Sequence, residues 1–169
     1  LGSWHLIALN SQICSVDENC ESSEQANWLK KDLETNKNKC TIAYMHHPLF
    51  SAGANRGEPT ILPLWRTLYE NGVDIALAGH DHNYERFSPM SPEGKLDKNF
   101  GIRSFVVGTG GLLTGFGPPA LNSEAQDNTS YGILKLALHK DTYEWEFVPV
   151  EGNTFKDKGE GRCHDIPQN

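Results

Sequence analysis

The 169-residue chain has no initiator methionine, no basic-then-apolar leader, and no apolar run near the ~20 residues that a membrane span requires. Its longer apolar stretches, such as 74–79, fall far short, so no membrane partner is expected. Positive charge is scarce: 15 Lys and Arg stand against 22 Asp and Glu, giving a net charge of −7 and a pI near 5.4. A general nucleic-acid binder needs a basic face to displace counterions, and that class is excluded as a stable partner. No C-x-x-C pair occurs, which excludes a thiolate zinc knuckle. Internal repeats are lacking, and aromatic residues are spread along the whole length, so long disorder is excluded as well.

What remains is the composition of a single globular domain. A chain near 150 residues buries about 68–70% of its unfolded surface, which is enough for a core. The four cysteines form an even set. Cys14 and Cys20 flank a short acidic loop that a disulfide could close, leaving Cys40 and Cys163 to clip the C-terminal tail to the sheet. The alternative is four reduced thiols in a cytosolic protein. Because Cys163 sits in a polar tail rather than a core segment, disulfides and a secreted, extracellular location are the expectation.

The chain starts directly on a strand-like run, Ser3–Leu9, as though it were a piece of something longer. Ser22-Ser23-Glu24-Gln25 reads as a helix start with Ser22 and Gln25 as a capping box, and Ala26, Leu29 and Leu33 follow at helical spacing. The polar run 36–39 ends it. Thr41–Met45 is a strand whose end carries His46-His47-Pro48 into a loop, Leu49–Glu58, expected to be a mobile rim. Leu64, Trp65, Leu68 and Tyr69 mark a second helix, with Pro59 or Pro63 in its first turn and Asn71-Gly72 at its end. Val73–Ala78 is a strand buried on both faces. Further strands are expected at 84–87, 102–107, 132–139 and 143–150, the last two as a hairpin. The fold class is α/β: a layered α/β sandwich with a mixed sheet over residues 1–150, followed by a loosely packed tail, 151–169.

The sharpest feature is Gly79-His80-Asp81-His82-Asn83-Tyr84-Glu85-Arg86, directly after the buried strand. If the backbone is extended, His80 and His82 project to one side and Asp81 to the other. Strand C-termini are where α/β sheets gather ligands. His46 falls at such an end one strand–helix unit earlier, so His46, His80 and His82 form a candidate metal set. On the same alternation, His46 and His47 point apart, which leaves His47 an outer or packing role. Tyr84, Glu85 and Arg86 read as a supporting ion-pair and packing set. Gly108-Thr109-Gly110-Gly111 is a turn, since no helix pattern follows. His5, His139 and His164 carry no motif.

TIAYMHHPLF at 41–50 and GHDHNYER at 79–86 resemble metal-ligand blocks of the calcineurin-like metallophosphoesterases, the purple acid phosphatase branch above all. The runs at 1–5 and 106–111 are similar to family blocks too. The resemblance implies a four-layer αββα fold, of which this chain is the C-terminal half. It also implies hydrolysis of phosphate-ester substrates at a site of two divalent or trivalent metal ions, Fe, Zn or Mn. His46 and His80 would hold the second metal and His82 the first. The family's DxG or DxH, GDxxY and GNH blocks are absent, so the implied partner is a missing N-terminal half carrying the Asp and Asn ligands. Without those carboxylates the isolated chain is expected to be inactive, binding one metal weakly or none. Asn55 and Arg56 fall where related acid phosphatases carry a proton-donating His. No catalytic residue is therefore assigned, with Arg56, a possible bidentate phosphate contact, and His47 as weak candidates. The alternative is a non-catalytic metal- or partner-binding domain that keeps the His cluster as a relic.

Overall fold

A computed structural model describes residues 2–16, 20–37 and 40–165. Asp17–Asn19 of the acidic loop, part of the polar run at 38–39, and the last four residues of the tail lie outside the described residues. Strand β1 (Trp4–Ala8) leads through the short helix α1 (Gln12–Val16) into helix α2 (Glu24–Thr35). Then come β2 (Cys40–Tyr44), α3 (Leu62–Glu70), β3 (Ile75–Ala78), β4 (Tyr84–Phe87), β5 (Arg103–Val107) and β6 (Ser123–Asp127). The chain finishes with β7 (Gly132–Leu138), β8 (Thr142–Pro149) and β9 (Lys158–Arg162).

Six strands form one mixed sheet in the order β1-β2-β3-β5-β4-β6. The first four in that order are parallel, with Leu6 opposite Ile42, Ile42 opposite Ile75 and Leu77 opposite Phe105; β4 and β6 run antiparallel to their neighbours. Strands β7, β8 and β9 make a second, antiparallel sheet. Alternating side chains divide the core. Ile7, Ala43 and Ala76 pack against Leu29, Leu33, Leu64, Trp65 and Leu68 of α2 and α3. Trp4, Ile42, Ile75 and Phe105 point the other way, onto Tyr143, Trp145 and Phe147 of β8. The layers are therefore helix, sheet, sheet, a mixed α/β sandwich as the sequence indicates. Among the described residues no helix is long and apolar enough to cross a membrane.

Both disulfides pair as the sequence suggests, Cys14 with Cys20 and Cys40 with Cys163. Two local expectations need correction, and one strand was not foreseen. The cap of α2 is Ser23, whose side chain accepts from the Ala26 N–H at 3.1 Å, while Gln25 reaches back to the Asn10 main chain instead. Strand β6 is a polar edge strand without an apolar pattern. Residues expected in a loose tail instead pack: Asp157 enters the core polar network, Lys158–Arg162 pair with β8, and Cys163 is buried. Gly159 and Gly161 lie flat against the Trp145 and Tyr143 rings, where a Cβ would stand 2.4 and 2.2 Å from ring atoms. Their glycines make β9 read as loop, yet those glycines are what let the aromatic rings sit beneath the strand.

Candidate metal centre

The site grows out of the sheet order. Strand β5 slots between β3 and β4, so residues 79–83 must arch over the end of β5 rather than turn directly back. The Gly108 N–H, just past β5, donates to the Asn83 carbonyl at 3.0 Å beneath that arch. Two tight turns make the crossing: the Asp81 N–H donates to Gly79 O at 2.7 Å, and the Asn83 N–H to Asp81 O at 2.9 Å. His80 sits at φ 64°, the left-handed region that non-glycine residues rarely occupy. The backbone is bent, not extended, so the premise on which His80, Asp81 and His82 are expected to alternate does not hold.

The imidazoles that meet are accordingly His46, His47 and His80, whose ring nitrogens lie within 4.8 Å of one another. His46 Nε2 and His80 Nδ1 are 3.1 Å apart. The His47 ring lies 4.7 Å from that of His46 and 4.5 Å from that of His80, centroid to centroid. A bend after β2 brings the His47 ring in beside those of His46 and His80, where alternation has His46 and His47 pointing apart. Buried Ser11 holds it there: its Oγ lies 2.9 Å from His47 Nδ1 and accepts from the His47 N–H at 2.9 Å. His82 lies on the same arch but outside this group, its carbonyl accepting from the Thr114 N–H at 2.8 Å. Sequence reasoning missed Ser11 altogether; no local pattern signals a hydroxyl 36 residues from its partner.

The electrostatics favour a neutral His47 ring. Burial, reinforced by the neighbouring His80 and His46, lowers the pKa of His47, with Glu58 opposing. The Thr60 hydroxyl, donating to Glu58, chiefly holds that carboxyl below its ordinary value, and His47 and His80 add to the effect. Neutral imidazole is the ligating form. Two nitrogen donors of one tetrahedral zinc stand about 3.3 Å apart, given Zn–N bonds of about 2.0–2.1 Å, so the 3.1 Å His46–His80 separation fits a borderline-soft cation. No carboxylate joins this group among the described residues, so its donor set fits one such cation better than a pair of hard ones. The other gathering of donor types, Cys40, Asp74 and Cys163, is structural. Its sulfurs are bonded to each other, and Asp74 accepts from the Thr41 and His164 N–H groups at 2.8 Å each.

Around the imidazoles, the loop 49–58 is not the free rim its glycines suggest. Ser51, Ala52 and Gly53 are buried, and only Ala54, Asn55 and Arg56 stand exposed. Phe50 packs on Trp65, ring centroids 5.3 Å apart. His5 pairs with Asp32 of α2 at 2.9 Å and His139 with Glu144 at 3.3 Å, both away from the site.

Residues 6–84 match the family model described as calcineurin-like phosphoesterase. Purple acid phosphatase 21 of Arabidopsis thaliana is 32% identical over 130 residues, covering 70% of this chain and 29% of that protein. The purple acid phosphatase PPD1 of yellow lupin superposes with a TM-score of 0.79 at 23% identity, over 96% of this chain and 31% of that one. GAP50, the anchor in the inner membrane complex of Plasmodium, superposes with a TM-score of 0.72 at 18% identity, over 96% of this chain and 49% of that one. Over residues 6–84 the chain is thus similar to the calcineurin-like phosphoesterases, and it is a homologue of the purple acid phosphatases, spanning about a third or less of those it matches.

Proposed function

We propose that this chain supplies the imidazole side of a two-metal site that hydrolyses phosphoric esters, the Asp and Asn ligands lying on the remainder of the domain. The convergence of His46, His47 and His80 at the ends of β2 and β3 carries the reading. His46 and His80 hold one cation, with His47 beside them set by Ser11, and His82 on the same arch serves the other. Metal ions in such a site polarise phosphoryl oxygens and neutralise charge developing in the transition state. Arg56 supplies a guanidinium that no described carboxylate engages, suited to a phosphate oxygen. An open apolar groove of about 350 Å³, lined by Tyr44, Leu77, Val107, Ile133, Leu134 and Leu136, supports an adjoining remainder of the domain. Tyr44 and Ile133, on its walls, are 47% and 64% exposed. The two disulfides fit a secreted protein.

Zinc titration of the chain tests the cluster: His46→Ala and His80→Ala should each weaken binding by more than the roughly 10–100-fold that follows loss of an outer hydrogen-bond partner. In the longer protein, His82→Ala should abolish turnover and lower bound metal, and undiminished activity with normal metal content would sink the assignment. The isolated chain should be inactive on a chromogenic phosphomonoester with Mn, Zn or Fe added; robust turnover refutes the divided site. A second reading, a non-catalytic partner-binding domain that keeps the His cluster, draws on the fold shared with GAP50 and predicts no turnover in the longer protein either.

A further inference from the structure

We infer that Asp81 is a positioning residue, its buried carboxylate latching the loop tip of Asn55 and Arg56 to the arch that carries His80 and His82. Two acidic residues of the 79–86 segment reach that loop, and both are 0% exposed. Glu85 holds the base. Its Oε2 accepts from the Ala52 N–H at 2.7 Å, and its Oε1 from Ser123 Oγ and Gln126 Nε2, each at 2.7 Å. The Ala52 carbonyl in turn accepts from the Gly117 N–H at 2.7 Å. Asp81 holds the tip, Oδ1 accepting from the Asn55 N–H at 2.9 Å. The approach is possible only because residue 53 is glycine: a Cβ there would stand 2.3 Å from the Asp81 Cγ.

The two latches differ in a way that points to function. Both Glu85 oxygens are engaged, whereas Asp81 Oδ2 is buried with no hydrogen-bond partner among the described residues. A neutral acceptor would hold the Asn55 N–H without leaving half a carboxylate unsatisfied, so stability alone does not explain an aspartate there. Its place does. Asp81 lies between His80 and His82, so the arch that carries those imidazoles also sets the height of the loop tip. That tip is strained, with Arg56 at φ 65° and its N–H bonded to Gly53 O at 3.1 Å. The positioning role rests on the reading of Arg56 as a phosphate contact; the latch itself does not.

Amide hydrogen exchange on the 169-residue chain tests the latch. Asp81→Ala should speed exchange at Asn55 by about tenfold or more, the effect of losing a hydrogen bond to a charged acceptor. Asp81→Asn keeps an acceptor in place and should stay near wild type. Exchange in β8 should be unchanged in both. Equal exchange in Asp81→Ala and wild type, or a matching rise in β8, overturns the latch. In the longer protein, with p-nitrophenyl phosphate as probe, Asp81→Ala and Arg56→Ala should each raise KM severalfold at near-constant kcat, with Asp81→Asn restoring it. Faster exchange at an unmoved KM overturns the positioning role. If Arg56→Ala is then also silent, the fault lies in the phosphate reading and not in the latch.

Discussion

The eight residues Gly79–Arg86 contain two regions built on opposite principles. The first part, through Asn83, is bent, strained at His80 and only partly satisfied, with Asp81 Oδ2 and both Asn83 amide atoms lacking hydrogen-bond partners among the described residues. The second part is a strand in which every charged group is paired. Asp157 receives the Tyr84 hydroxyl and Arg86 Nε at 2.7 Å, Arg86 Nη2 at 3.0 Å and Trp145 Nε1 at 3.1 Å. Glu124 receives Arg86, Arg103 at 2.8 Å and Ser88 at 2.6 Å. Both guanidinium groups lie 4.9 Å over the Trp145 ring. One turn of chain thus separates groups arranged to meet a ligand from groups arranged to meet each other. Burial with unmet hydrogen-bonding capacity marks the first, and burial with nearly all of it met, Arg103 Nε excepted, marks the second.

The largest expected effect lies in the satisfied region. Asp157→Ala leaves Arg86 without its main partner between the sheets and should cost about 3–5 kcal/mol in denaturant unfolding. A cost under about 1 kcal/mol would break the comparison. The same network sets an acid limit. Burial raises the Asp157 carboxyl, but the hydrogen bonds from Arg86 and Tyr84 outweigh it and leave its pKa below the ordinary value. For Glu124, likewise, Ser88 and Arg103 outweigh burial. A carboxyl depressed in the folded state contributes fully above its unfolded pKa of about 4, and that contribution is lost as pH falls through the folded value. Stability should therefore drop below about pH 4, and the Asp157→Ala variant should show a flatter profile there.

At the strained end the sign should reverse. His80→Gly relieves the left-handed backbone and should raise unfolding free energy by about 1 kcal/mol while zinc binding falls. Destabilisation of similar size would mean that His80 serves the fold rather than the site. The smallest effect belongs to neither region: the exposed Lys135–Glu146 pair, 3.6 Å apart, should change stability by about 0.5 kcal/mol or less on Lys135→Ala, which sets the noise level for the other two.

Much of the fold was legible because its signals are local. Ala26, Leu29 and Leu33 mark α2 by spacing alone, and the continuous apolar run ending at Ala78 marks β3. The disulfide partners followed from where each cysteine sits. Strand β6 was not legible, since an edge strand exposed along one side carries no apolar pattern, and β9 was hidden by glycines that serve aromatic rings on another strand. At the site, the spacing picked out His46 and His80, whose rings do meet, but not the approach of the His47 ring to them. The alternation rule assumes an extended backbone, and both segments bend.

By itself the sequence determined which side chains stand at the strand ends, because hydrophobic periodicity and turn chemistry act over a few residues. Which imidazoles meet was left to tertiary structure. That outcome depends on β5, some twenty residues downstream, inserting between β3 and β4 and forcing the chain to arch over it. Strand order is a contest among distant hydrogen-bonding edges, and no local pattern around His80 records who wins it.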